Sequence, residues 1–422
     1  MVGSHAVRCA CNARGRERSY EGRQAGTLVI DATTIDLRPE RFAAGVPFDD
    51  LRWLRENEPV WWSSAMACWV VTSYELVEQC NRDWTRFSSS DGVVDPADAG
   101  APKWKPITAL DPPEHGRYRR LVMAPFTPIP IGRLEDMVRR IAREAIASFV
   151  AEGGGDFVNA IACAVPFRVM ATLTGVPFDD EDLIVGWTNS VMPNADPDYR
   201  PTESTAEASR VALGAYCVEL ARAQRTGERP LLSQTLFEGR LGERELSDEE
   251  VANFLDTFIV GGTETTRQLI SHGLLALLEH PDQCRRLVDG TVTGAVAVEE
   301  MLRWVSPVLH HSRRATQDAA VGEVGIGAGD RVTLWIVSAN RDPHVFSAPD
   351  AFDIGRTPNP HVSLGAGGPH HCLGAHLARL EARVVFEELR PLLSRLTMSA
   401  PPVRVASNFF NGMKRFPLEL AR

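Results

Sequence analysis

Residues 361–381 read HVSLGAGGPHHCLGAHLARLE, and this stretch decides how the rest of the chain is read. A glycine-rich loop delivers one cysteine, Cys372, and an apolar-periodic segment begins directly after it. Leu373, Leu377 and Leu380 recur at helical spacing, so the order is loop, cysteine, helix. A thiolate at that junction lies near the positive end of a helix dipole and near unpaired backbone N–H groups, and both favour its charge. Gly365, Gly367 and Gly368 permit a tight turn and a close approach to a flat ligand. Pro369 stiffens the turn. Taken alone, Cys372 is better read as a small buried hydrophobe. The other motifs decide the matter.

The chain has 422 residues and a net charge of −10, with a sequence pI near 5.6. No basic stripe is available to neutralise phosphates, which argues against nucleic acid as a partner. Eight cysteines are scattered, and none pairs with histidines at zinc-ligand spacing. The Cys9–Cys11 pair falls in an Arg-rich leader, residues 1–26, that reads as a disordered tail ahead of one domain over 27–422. The most apolar window, 157–178, carries Pro166, Arg168 and Pro177 and fails as a membrane span. With no secretory signal in view, a soluble cytoplasmic protein with reduced thiols is expected.

In chain order, 47–59 is an amphipathic helix, 60–72 a β-hairpin and 73–82 a short helix. Residues 91–105 form a long Gly/Pro/Asp-rich loop, of the kind that carries function. In the next helix His115 and Arg119 lie one turn apart on a shared face; by itself this is an ordinary solvated helix. Helical patterns follow near 132–152, 160–174, 179–193 and 205–225, and the polar, Pro-studded link 192–201 suits a lid. Ser247 with Glu250 makes a capping box that opens the longest helix, reaching about residue 279.

The middle of that helix, Gly261-Gly262-Thr263-Glu264-Thr265-Thr266, is a poor helix interior. Each glycine costs roughly 1 kcal/mol against Ala, and the threonines are β-branched. Either a functional site or a packing notch for a crossing helix explains it. Glu300 and Arg303 share a helix face over 294–304. Exposed helices carry such pairs constantly. β-Runs follow at 306–316 and 330–336, and 407–414 closes the chain with a turn.

Taken together, these stretches resemble the cytochrome P450 superfamily in its soluble bacterial form. The loop is similar to the family's Phe-Gly-x-Gly-x-His-x-Cys-x-Gly, with His370, Cys372 and Gly374 on its His, Cys and Gly. Leu364 stands where Phe is usual, and one residue is inserted among the glycines. Gly261 to Thr266 matches the oxygen-binding groove, and Glu300-x-x-Arg303 the buried pair that braces the fold. The resemblance implies a mainly α protein with a small β-rich lobe, the triangular-prism fold, with the long central helix over the haem. It implies haem b held by the Cys372 thiolate, with Gly365 and Gly374 at the cofactor loop. His115, Arg119, Arg313 and His370 would hold the propionates. Glu264 and Thr265 would relay protons to dioxygen. Trp104, Val308, Leu309, His310 and Gly261 are the expected pocket residues. The family's third structural arginine is Ala351 here, and Arg341 and Arg356 are the candidates to replace it.

The activity so implied is a haem-thiolate monooxygenase that hydroxylates a hydrophobic small molecule such as a sterol, branched lipid or terpenoid. The alternative substrate class is an aromatic, alkaloid or peptide-type secondary metabolite, including oxidative coupling. A non-enzymatic haem sensor and a peroxygenase have no need of the intact Glu264–Thr265 pair. Electrons would come from a separate ferredoxin and its NAD(P)H-dependent reductase, docking on a basic face near Arg379 and Arg383, with the enzyme a monomer.

Overall fold

Ser247 starts the helix around which the others pack. Its side chain accepts from the Glu250 N–H, and the Glu250 carboxylate accepts in return from the Ser247 N–H, so the capping box is complete. The helix then runs unbroken from Asp248 to Glu279, 32 residues and roughly 48 Å at 1.5 Å per residue. The computed structural model describes residues 31–92, 105–192 and 195–421. The 1–26 leader with Cys9 and Cys11, most of the 91–105 loop, and Trp104 lie outside them.

This central helix packs against the helices Ala164–Thr174, Glu203–Thr226, Gly294–Val305 and Ala375–Leu389. One large apolar cluster fills the space between them, drawing Leu255 and Ile259 from the central helix, Phe167 and Met170 from Ala164–Thr174, and Val385 and Phe386 from Ala375–Leu389. The predicted helices over 132–152, 179–193 and 205–225 are Glu135–Ala151, Glu181–Val191 and Glu203–Thr226. The 160–174 helix is preceded by a wider turn at Val158–Cys163.

The β lobe is one mixed sheet. Val60–Ser63 pairs antiparallel with Cys68–Val71, which is the predicted hairpin. Arg331–Leu334 then lies parallel to Cys68–Val71 and antiparallel to His311–Ala315, and Phe87–Ser88 closes the edge. Arg331–Leu334 stands next to strands on both sides, and its Val332 and Leu334 are fully buried. Two apolar clusters flank this lobe, one of them built on Leu37, Phe42 and Trp335. Among the described residues no helix is long and apolar enough to cross a membrane.

Glu300 and Arg303 are wholly buried, not a surface pair. The guanidinium meets both carboxylate oxygens, at 2.8 and 2.7 Å. It also donates to the carbonyls of Asn340, Pro349 and Ala351. Arg356 supplies the third member: its Nε reaches Glu300 at 3.1 Å and its other nitrogens bond the carbonyls of Ser347, Ala348 and Ala351. Arg341 is occupied otherwise. It lies between the rings of Phe48 and Trp304, 3.8 and 3.9 Å from their centroids.

Candidate active site

The loop 361–374 is pinned before it reaches the cysteine. The Cys372 N–H donates to the Leu364 carbonyl at 2.7 Å, which closes the loop on itself. Gly365, Gly367 and Gly368 all have positive φ, at 112°, 72° and 87°. A Cβ on Gly368 would strike the backbone of Asn81, so glycine is required there by close approach as well as by φ. Gly374 is the residue before the helix Ala375–Leu389, with open space around its Cα.

Cys372 is exposed, yet burial pushes its thiol up, opposed by the Gly374 N–H and by Arg119 and Arg379. Cys372 thus offers an accessible thiol with protein packed around it. The other cysteines among the described residues are buried: Cys68, Cys80, Cys163, Cys217 and Cys284.

Cations gather beside it, and the carboxylate that acts on Arg313 and His115, Asp111, is itself bound to the Ser88 hydroxyl and the Ser89 N–H. Strand alternation puts His311 and Arg313 on one side of the sheet. Arg313 is 3% exposed and forms no ion pair among the described residues. It donates instead to the Asn81 side chain at 2.8 Å and to the Ser312 carbonyl at 2.7 Å. Burial pulls its pKa down to about 10. The rings of His115 and His370 lie 4.2 Å apart, tilted by 43°, and the His370 Nε2 is buried without a partner. Burial, then Arg313, hold His370 down to about 3, and burial holds His311 near the same value. Arg119 donates to the His371 carbonyl at 2.6 Å. A buried guanidinium and an orphaned imidazole nitrogen are costly unless an anion meets them. This cluster therefore suits a carboxylate-bearing group beside Cys372.

Gly261 and Gly262 of the central helix divide the two roles that the sequence left open. Gly261 is exposed, and a Cβ there would meet nothing within 4 Å. Gly262 is the packing notch: a Cβ would lie 2.8 Å from the side chain of Met170 on the crossing helix. Thr265 keeps access to the Gly261 side and donates to the Gly261 carbonyl at 2.8 Å. Its oxygen still has lone pairs to accept another hydrogen bond.

Glu264 and Thr265 do not meet. Successive helical residues face different directions, and the Glu264 carboxylate turns toward the Glu181–Val191 helix, where it is bound by Arg267. Arg267 also donates twice to Asn189 of that helix, each at 3.0 Å. Burial pushes the Glu264 carboxyl up, and Arg267 opposes it. Arg267 was legible as the i,i+3 neighbour of Glu264; Asn81 was not, since it sits in a plain amphipathic helix.

Leu309 and His310, expected as pocket residues, are both buried. The chain at 307–310 is clamped by the closing turn, with the Leu309 N–H on the Phe409 carbonyl at 2.7 Å. Leu309 is therefore buried with Phe42 and Trp335, and the His310 ring lies 4.8 Å from Trp335. Val308 stays half-buried, bridged to Phe410. Nor are Arg379 and Arg383 free cations: Arg379 pairs with Glu299 at 2.7 Å, and Arg383 with Glu135 at 2.7 Å.

Among the described residues no three His, Cys, Asp or Glu side chains are grouped to hold a metal ion. The accessible thiol of Cys372 suits a metal carried by a cofactor.

Comparison with known proteins agrees with this arrangement. The family description Cytochrome P450 matches residues 217–290 and 291–414. A methyl-branched lipid omega-hydroxylase of Mycobacterium bovis is 36% identical over 356 residues, 83% of either chain. A steroid C26-monooxygenase of Mycolicibacterium smegmatis is 32% identical, covering 89% of this chain and 90% of its own. A Mycobacterium marinum cytochrome P450 solved in complex with pseudoionone superposes with a TM-score of 0.83 at 32% identity, over 94% of this chain and 100% of that one. With its cysteine loop, grooved central helix and buried Glu300–Arg303 pair in that same fold, the chain belongs to the cytochrome P450 family and is a P450 monooxygenase.

Proposed function

We propose that the chain binds haem b through the Cys372 thiolate and hydroxylates the apolar end of a branched lipid or sterol. The observation that supports the cofactor placement is an open thiol close to a cationic cluster in which the buried Arg313 forms no ion pair among the described residues and the His370 Nε2 has no partner. Arg313, His370, His115 and Arg119 are the residues that would hold the propionates. The substrate class is supported by the relatives' own activities, on methyl-branched lipids and at steroid C26.

When bound, haem supplies the activation of O2 and the insertion of one oxygen atom. The chain's own residues prepare the site. Gly261 leaves room along the central helix, and Thr265 places a hydroxyl there that accepts a hydrogen bond while donating to Gly261. Glu264 holds a carboxyl one residue away, and it reaches the Thr265 side only after leaving Arg267. Because Arg267 is tied to Asn189, that release is linked to the Glu181–Val191 helix. A separate ferredoxin and its reductase supply the electrons in this reading. The expected docking cations Arg379 and Arg383 are already paired, so the exposed Arg117 and Arg120 of the Glu114–Val122 helix replace them as candidates.

Two outcomes check this. Thr265→Ala should keep substrate binding but lower product formed per NAD(P)H consumed by on the order of tenfold, with the electrons recovered as peroxide. Unchanged coupling would remove Thr265 from proton delivery. Arg313→Met should release haem to an excess of apomyoglobin roughly tenfold faster than wild type, the loss of one charge-assisted hydrogen bond. An unchanged rate would mean that Arg313 serves only its bonds to Asn81 and the Ser312 carbonyl.

A further inference from the structure

Ser89 carries a buried hydroxyl that the protein itself leaves unused. The residue is 1% exposed, and its Oγ has no hydrogen-bond partner among the described residues. A buried polar atom of this kind is costly unless a partner arrives from elsewhere. Its neighbours show that the local protein groups are already served. The Ser88 hydroxyl donates to one oxygen of Asp111, and the Ser89 backbone N–H donates to the other at 2.9 Å. Both oxygens of Asp111 are thereby engaged, and the Ser89 hydroxyl is left over.

The sheet register fixes its direction. Phe87 pairs with Ala315 and Ser88 with Arg314 in the antiparallel edge of the sheet. Continued by one residue, that register sets Ser89 opposite Arg313. Residues directly opposite share a face, with Cβ atoms about 4.5–5.5 Å apart. It is the face of Phe87 and Ala315, both buried, whereas Arg314 on the other face pairs with Asp91. Asp111 gives a second, independent link to the same place. Its carbonyl accepts from the His115 N–H at 2.9 Å, and its charge acts on both Arg313 and His115.

We propose that Ser89 is a further cofactor-binding residue: its hydroxyl donates a hydrogen bond to the haem carboxylate that Arg313 meets. The inference rests on the haem reading above and adds a neutral donor to a site otherwise made of cations. Arg313 has one nitrogen committed to the Ser312 carbonyl and another to the Asn81 side chain. A carboxylate offers about four lone-pair sites, more than this guanidinium can fill. A hydroxyl fills one of them without bringing a second buried charge, whose desolvation would be costly. Hydroxyl-to-carboxylate bonds are short and strong, so the residue should be felt in how firmly the cofactor is held.

The test follows transfer of the cofactor from the loaded protein to excess apomyoglobin. It is run with haem b and with iron etioporphyrin, in which ethyl groups replace both propionates. With haem b, Ser89→Ala should release the cofactor roughly tenfold faster than wild type, and the propionate bending band in its resonance Raman spectrum should shift. With iron etioporphyrin the two proteins should release at equal rates, because no carboxylate is left to bind. Equal release of haem b by wild type and Ser89→Ala overturns the proposal. So does a difference that persists with iron etioporphyrin, since the hydroxyl would then act on the protein alone. If wild type releases haem b as fast as iron etioporphyrin, the cationic cluster does not hold the propionates. That reading then fails, and the Ser89 contact falls with it.

Discussion

Cys372→Ala is expected to give a folded protein that has lost both the thiolate-type spectrum and turnover, the latter to background. The loop around this position is closed by the backbone bond from the Cys372 N–H to the Leu364 carbonyl, which alanine keeps. The glycine turns at 365, 367 and 368 are untouched, as is the Ala375–Leu389 helix. Stability should therefore change by no more than about 1 kcal/mol. The loss is chemical, because a thiolate donates electron density that favours O–O cleavage and alanine donates none. Near-ultraviolet circular dichroism and a thermal melt check the fold, and the reduced spectrum checks the ligand. A variant that keeps the thiolate spectrum would remove Cys372 from the iron.

Glu300→Ala is the second large effect, and it acts on stability. The carboxylate accepts from Arg303 twice, and from Arg356, Asn359 and the Asp353 N–H once each. Its removal strands two guanidiniums, one of them fully buried, at a cost of about 3–5 kcal/mol. Arg356→Ala should cost less, since Glu300 keeps Arg303. Often a buried ion pair can be replaced by apolar residues with little loss. Here the double change Glu300→Leu with Arg303→Met should not recover stability, because Arg303 also satisfies the carbonyls of Asn340, Pro349 and Ala351. Those carbonyls precede the cysteine loop, so the damage reaches the site. The rate of thermal inactivation of the haem-loaded protein is the measurement, as a chain of this size need not unfold reversibly. A double variant as stable as wild type would show that the network is dispensable.

What the sequence told about this molecule depended on whether a signal was local. The capping box at Ser247 and Glu250, the Val60 hairpin and the helix after Cys372 are each written in a few neighbouring residues, and each was found where expected. Gly261 and Gly262 were legible as a weak point of the helix. Their separate duties were not, because one depends on Met170 from another helix. The same limit explains Leu309 and His310, whose direction is set by the closing turn about a hundred residues on. Arg356 could not be chosen over Arg341 from spacing, since Phe48 and Trp304 enclose Arg341 from distant parts of the chain. Glu264 shows the same dependence on distant residues: its carboxylate is bound by Arg267, which is itself tied to Asn189 of another helix.

The most direct measurement of the central claim is the absorption spectrum of the reduced wild-type protein under carbon monoxide. The account predicts a Soret band red-shifted to the thiolate-ligated position, which Cys372→Ala removes. A band at the histidine-ligated position in freshly prepared, active protein would contradict it, because the proposed ligand is Cys372 and not a neighbouring histidine such as His370 or His371.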